Sequence, residues 1–283
     1  MSAAILAPDI RRARAGDRPS DSSAPFRSSI VAPAAPHTLC SSPQWRAYFE
    51  ENAVSLMDIP WERGAELTPE ECETIAESLQ IFQIGESSEG RHLLNRAQQY
   101  AARENDPEYV AAVKFFIREE QRHGRDLGRF LTLAGVPLLQ KAFTDSVFRW
   151  LRHRAGLEVT IAVVIVAEAI ANVYYAALRD ATGSAVLRTL CEQILRDEVA
   201  HVSFQSERLA ILRRGRSRAY ILTANGLHRF LYGGTCLVVW WKHGPVMKAG
   251  GVGFRRFWTC AWREMNIALR QMDPRRYTFT DTV

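Results

Sequence analysis

The chain has 283 residues, of which 47% are hydrophobic and 24% charged, with a net charge of +5 and a pI near 9.1. That is globular composition with enough apolar material for a sizeable core, and it argues against a wholly disordered or disulfide-built protein. The mild basicity gives no nucleic-acid signature, since much of the excess sits in Arg11, Arg12, Arg14, Arg18 and Arg27, diluted by Asp9, Asp17 and Asp21.

Residues 1–43, rich in Ala, Pro, Ser and Arg, are expected to form a disordered tail. They lack the apolar run and cleavage site of a secretory signal. A short helix is expected over 44–52, followed by a loop at Asp58-Ile59-Pro60-Trp61. Thr68, Pro69 and Glu71 make a capping box with proline in the first turn, so a long first helix is predicted over 69–103, with Ile75, Leu79, Phe82, Leu93 and Ala97 on its apolar stripe. Asn105-Asp106-Pro107 ends it and starts a second helix, 107–133, striped by Val113, Phe116, Leu127, Phe130 and Leu131.

A short helix near 145–153 is expected to carry the chain across the molecule. The third helix, 156–179, is apolar nearly all round. A buried central helix explains it better than a membrane span, because Glu168 and Asn172 sit mid-segment. Thr182-Gly183-Ser184 makes a turn into the fourth helix, 185–213. The rest should be helical in two pieces, broken at Gly244-Pro245 and at Gly250-Gly251-Val252-Gly253. The chain thus reads as all-α: a tail (1–43), a four-helix bundle with a crossover (44–215) and a C-terminal helical extension packed on it (216–283).

Two motifs carry chemistry. The second helix holds Glu120-Gln121-Arg122-His123 and the fourth holds Glu198-Val199-Ala200-His201. Each is Glu-x-x-His, and residues three apart share one helical face. Both pairs fall on core-facing stripes, where charge is costly unless paired or metal-bound. Glu168 lies in the most apolar part of helix three, and Glu86 and Glu89 lie on the stripe of helix one.

In an antiparallel pair, residues equidistant from the turn stand side by side. Glu168 and Glu198 are equidistant from Gly183, and Glu89 and Glu120 from about Asn105. Glu89 is therefore the expected ligand, with Glu86 as understudy or in support. Four carboxylates and two imidazoles, without thiolate, suit iron or manganese better than a zinc structural site. The scattered, odd set Cys40, Cys72, Cys191, Cys236 and Cys260 points to a reducing cytoplasm.

This pattern resembles the ferritin-like di-iron carboxylate superfamily, over roughly residues 69–213. The resemblance implies a ferritin-like bundle in which Glu89, Glu120 and His123 hold one iron and Glu168, Glu198 and His201 the other. Glu120 and Glu198 would bridge, and manganese could replace iron at one site. Asp197 and Glu119 would orient the imidazoles of the opposite half.

Within that superfamily, Leu127 stands where a radical-forming tyrosine would be, one turn after His123. Tyr174 and Tyr175, six and seven residues after Glu168, could approach the site but are expected first as core filling. The aromatic extension (Trp240, Trp241, Phe254, Phe257, Trp258, Trp262) exceeds what an iron-storage subunit needs; it should pack on the bundle, line a substrate pocket or form a homodimer face. The expectation is an oxidoreductase that uses dioxygen to oxidise or hydroxylate a small organic molecule, with an external electron donor and with peripheral membrane contact left open. The alternatives are a ferritin-type iron oxidation and storage protein and a non-catalytic metal-binding helical protein.

Overall fold

The computed structural model describes residues 39–87, 90–139 and 156–279, and among these the architecture is all-helical. The expected tail up to residue 38 and the expected crossover helix near 145–153 lie outside the described residues.

Helix α1 spans Ser42–Val54 and starts earlier than expected, because Ser41 forms a capping box with Gln44 and Pro43 occupies the first turn. A 3₁₀ turn follows at Trp61–Arg63. Helix α2 (Pro69–Glu86) opens on the Thr68–Glu71 capping box.

The predicted long first helix is two helices. Helix α2 ends at Glu86, and α3 (Arg91–Glu104) begins after Gly90, whose φ of +60° is left-handed. A Cβ on Gly90 would also meet the Ile117 side chain at 2.6–2.8 Å. The break therefore needs glycine both for its backbone angle and for its closeness to the next helix.

Helix α4 (Pro107–Leu133) is capped by Asp106, α5 spans Leu157–Asp180, and α6 (Ala185–Leu212) is capped by Ser184. Helix α7 (Arg218–Ala249) runs unbroken through Gly244-Pro245, against expectation. Pro245 stands on the exposed side of the helix, where water can satisfy the carbonyl that loses its backbone donor. The glycine run does end it, and α8 follows at Phe254–Gln271.

Helices α2 and α3 pack along α4, α5 pairs with α6, and α1 lies across α4. Helices α7 and α8 cover α5, with α7 also reaching α2 and α8 reaching α6. Helix α5 is the one described helix long and apolar enough to cross a membrane, yet 83% of its most apolar window is buried inside the protein. Being covered on several sides explains why it is apolar all round.

Candidate metal centre

Helices α2, α4, α5 and α6 bring six acidic and imidazole side chains to one place. Glu86, Glu120, His123 and Glu198 form one group, and Glu120, Glu168, Glu198 and His201 a second; in each, the donor atoms lie within 4.8 Å of one another. Glu120 and Glu198 belong to both groups. The carboxylate from the first helical segment is Glu86; Glu89 lies outside the described residues. The antiparallel count that favoured Glu89 assumes an unbroken helix up to Asn105, and the break after Glu86 removes that premise.

His123 Nδ1 lies 3.8 Å from Glu86 Oε2, 3.9 Å from Glu120 Oε1 and 3.8 Å from Glu198 Oε1. His201 Nδ1 lies 2.9 Å from Glu120 Oε1 and 3.7 Å from Glu198 Oε2. None of these contacts has hydrogen-bond alignment: the Nδ1 atoms of both histidines, Glu120 Oε1 and both Glu198 oxygens are buried without a hydrogen-bond partner. Such orphaned polar atoms are costly, and here they gather in the two adjoining groups that share Glu120 and Glu198.

The outer edges of both imidazoles are fully engaged. His123 Nε2 is 3.0 Å from Asp197 Oδ2 across the α4–α6 interface. His201 Nε2 is 2.9 Å from Glu119 Oε2 across the same interface in the opposite sense. Each acid immediately precedes the glutamate of its own Glu-x-x-His, so each motif supplies one inner carboxylate and one outer acid for the other motif's histidine. With Nε2–H held at the carboxylate, the neutral form of each imidazole, which a cation would bind, presents its lone pair at Nδ1 on the inner side.

A further layer ties the outer acids down. Asn52 of α1 donates from Nδ2 to Glu119 Oε1 at 2.6 Å and to Asp197 Oδ1 at 2.9 Å. Gln193 donates to both Asp197 oxygens, and Arg122 adds an ion pair at 2.5 Å. Arg196 in turn donates to the Asn52 side-chain oxygen Oδ1 at 2.9 Å. Asn52 was missed in the sequence, although it continues the buried Trp45–Phe49 stripe of α1 and is the polar member of it. Tyr175 is more than core filling: its O–H donates to Glu86 Oε1 at 2.6 Å. Tyr174 stacks on Phe82 at 3.5 Å and meets Ser78 Oγ at 2.9 Å.

Burial sets the charge state in the absence of cations. Burial raises Glu120 to about 7, helped by Glu86, and raises Glu168 well above its ordinary range, helped by the neighbouring Glu120 and Glu198. Burial also opposes the charge on Glu198, but the neighbouring Glu168 carboxyl and the His201 and His123 imidazoles outweigh it, so Glu198 is the ionised partner and Glu168 keeps the proton. Burial disfavours His123⁺ as well; the Asp197 hydrogen bond and Glu86 overcome it and carry His123 up to about 10. His201 is raised for the same reason, through Glu119 and Glu120. Asp197 is pulled below its ordinary range, because His123 and Arg122 outweigh the cost of burying it. The cluster thus gathers protons where it has no cation, and a cation entering it would displace them.

Four carboxylates and two imidazoles with inward lone pairs fit a pair of hard-to-borderline cations. Glu120 is the least buried of the six, its side chain retaining 18% exposure. All five cysteines are unpaired and stand outside both groups. Comparisons with protein-family models, curated proteins and solved structures find no match to this chain.

Proposed function

We propose that the chain is a ferritin-like oxidoreductase in which Glu86, Glu120, His123, Glu168, Glu198 and His201 hold two irons, and that it uses dioxygen and an external electron donor to oxidise or hydroxylate a small organic substrate. The observation that carries this reading is the gathering of orphaned atoms: two Nδ1 atoms and three carboxylate oxygens, buried without hydrogen-bond partners, in two adjoining groups that share Glu120 and Glu198. Of the inward imidazole–carboxylate contacts one is 2.9 Å and the others are 3.7–3.9 Å, wider than the pairs of a closed salt-bridge network. The iron pair would supply the electrons that reduce dioxygen.

The protein's own residues set the conditions for that chemistry. Glu119 and Asp197 fix the imidazole orientation from opposite sides. Tyr175 occupies one oxygen of Glu86 and leaves Oε2 turned toward His123. Four carboxylates carry a charge of about −4, which two divalent cations neutralise, so buried acids and cations balance. Glu120, with its residual exposure, is the side from which a small reactant approaches.

The test is anaerobic titration with ferrous iron, followed by dioxygen uptake. The expected outcome is saturation near two irons per chain, prompt dioxygen consumption, and loss of both in Glu198→Ala. Saturation well below two, unchanged in Glu198→Ala, would sink the reading. Uptake continuing to hundreds of irons in a large particle would move it to iron storage.

A further inference from the structure

Helix α7 is apolar on two opposite faces. Its inner face buries Tyr232, Cys236, Val246 and Met247 against the rest of the protein. Its outer face carries Leu227, Phe230, Leu237, Val238 and Trp241, with Phe230 83% and Trp241 76% exposed. Leu227, Phe230, Gly234, Leu237 and Trp241 follow one another at alternating steps of three and four, so they form one straight seam along the helix. The seam is about 20 Å long, too short for a bilayer crossing but long enough to lie along its surface. It stands away from the metal cluster and does not depend on the function proposed for it.

The charge around the seam is of one sign. From Arg214 to Arg263 the chain has nine Lys and Arg, all of them exposed, and no Asp or Glu. Lys242, exposed on the flank of the seam, holds its Nζ 5.1 Å from the Trp241 ring, and Lys248 closes the seam's C-terminal end. Arg214, Arg216 and Arg218 are exposed at the start of the helix. A second copy docked on this seam would bring these cations against their equals. An anionic lipid surface would complement them while taking up the aromatic and aliphatic side chains.

We infer that the outer face of α7 is a peripheral membrane-docking surface, selective for bilayers containing anionic lipid. Phe230 and Trp241 enter the boundary between headgroups and acyl chains, and Lys242 and Lys248 bind at headgroup level. The helix lies in the plane of the surface and is held rigid by its buried inner face.

The experiment is flotation of the full chain with vesicles of phosphatidylcholine, alone or with one quarter phosphatidylglycerol, beside light scattering for oligomeric state. The expected result is capture by the anionic vesicles, weakened by salt and much lower on phosphatidylcholine alone. Phe230→Ser with Trp241→Ser should lower the partition by about a hundredfold, given roughly tenfold per large apolar side chain. Lys242→Glu with Lys248→Glu should lower it by at least about tenfold. Both pairs change exposed positions, and unchanged helical circular dichroism and Tm would confirm that the fold is kept. The inference is overturned by no capture of the wild-type chain, or by capture undiminished in the Phe230/Trp241 pair. It is equally overturned by a wild-type dimer that the same pair converts to monomer, which would make the seam a contact between copies.

Discussion

Tyr175 shows how one hydrogen bond alters the reading of a side chain. By composition it is an aromatic residue on an apolar helix; in the fold its hydroxyl meets one oxygen of a cluster carboxylate. Tyr175→Phe keeps the packing and removes only that bond, so iron affinity should fall by about tenfold, the usual scale for a supporting partner of a metal ligand. Competition against a chelator of known affinity measures this, and Glu86→Ala should lose more in the same assay. An unrelated carboxylate, Glu207, carries a pH effect. Burial raises it to about 7, against the stabilising hydrogen bonds from Trp45 Nε1 at 2.9 Å and Cys40 N at 3.1 Å. A folded-state pKa above the unfolded one means that the folded chain holds the proton more tightly. That stability is present in full below about 4.5 and is lost as pH rises through 7, by up to about 3 kcal/mol. Glu207→Gln should flatten this loss, which urea midpoints at pH 5.5 and pH 8 would register.

At the scale of elements, the break between α2 and α3 and the end of α7 are set by close approach. Gly90 cannot take a side chain without strain at φ +60° and collision with Ile117. Gly250, which ends α7, sits against the C-terminal part of α5: a Cβ there would lie 2.1 Å from the carbonyl oxygen of Ala177. Backbone cannot yield as a flexible side chain does, so α7 would have to lift from α5. Gly250→Ala should therefore destabilise by about 2–4 kcal/mol, seen as a lowered Tm, whereas Gly234→Ala, on the open face with nothing within 4 Å, should be neutral or slightly stabilising. A Gly250→Ala chain as stable as the wild type would mean that α7 is not held by this contact.

For the whole molecule, the cluster is a local charge cost that a cation relieves. Six ionisable groups are drawn from four separate helices, so a ligand bound among them stabilises only the assembled fold. Ferrous or manganous ion at about a thousand times its Kd should add about 4 kcal/mol per site. For a chain of this size that raises Tm by roughly 10 °C or more, reversed by chelator. Glu120→Ala with Glu198→Ala, which removes the two shared carboxylates, should abolish the shift. A Tm indifferent to metal in the wild-type chain would argue that the cluster is a proton-sharing network and not a metal centre.

The parts of this protein that were legible in the sequence are those governed by local spacing. Caps at Thr68 and Asp106, the turn at Thr182-Gly183-Ser184 and the two Glu-x-x-His pairs depend on residues a few positions apart, and local spacing relates such residues without knowledge of the fold. Glu168 was legible because an acid inside an apolar run has a desolvation cost that demands a partner. The tertiary structure decided the rest. Glu86, the last residue of α2, joins a cluster with acids and imidazoles of three other helices, and α3 restarts the chain after Gly90, which lies against Ile117 of a different helix. Asn52, 67 residues from one of its partners and 145 from the other, becomes their shared donor only when α1 crosses α4. Local chemistry thus determined which residues could serve a metal, and long-range packing decided which of them meet, because a contact between helices depends on where each helix ends and what its neighbours leave room for.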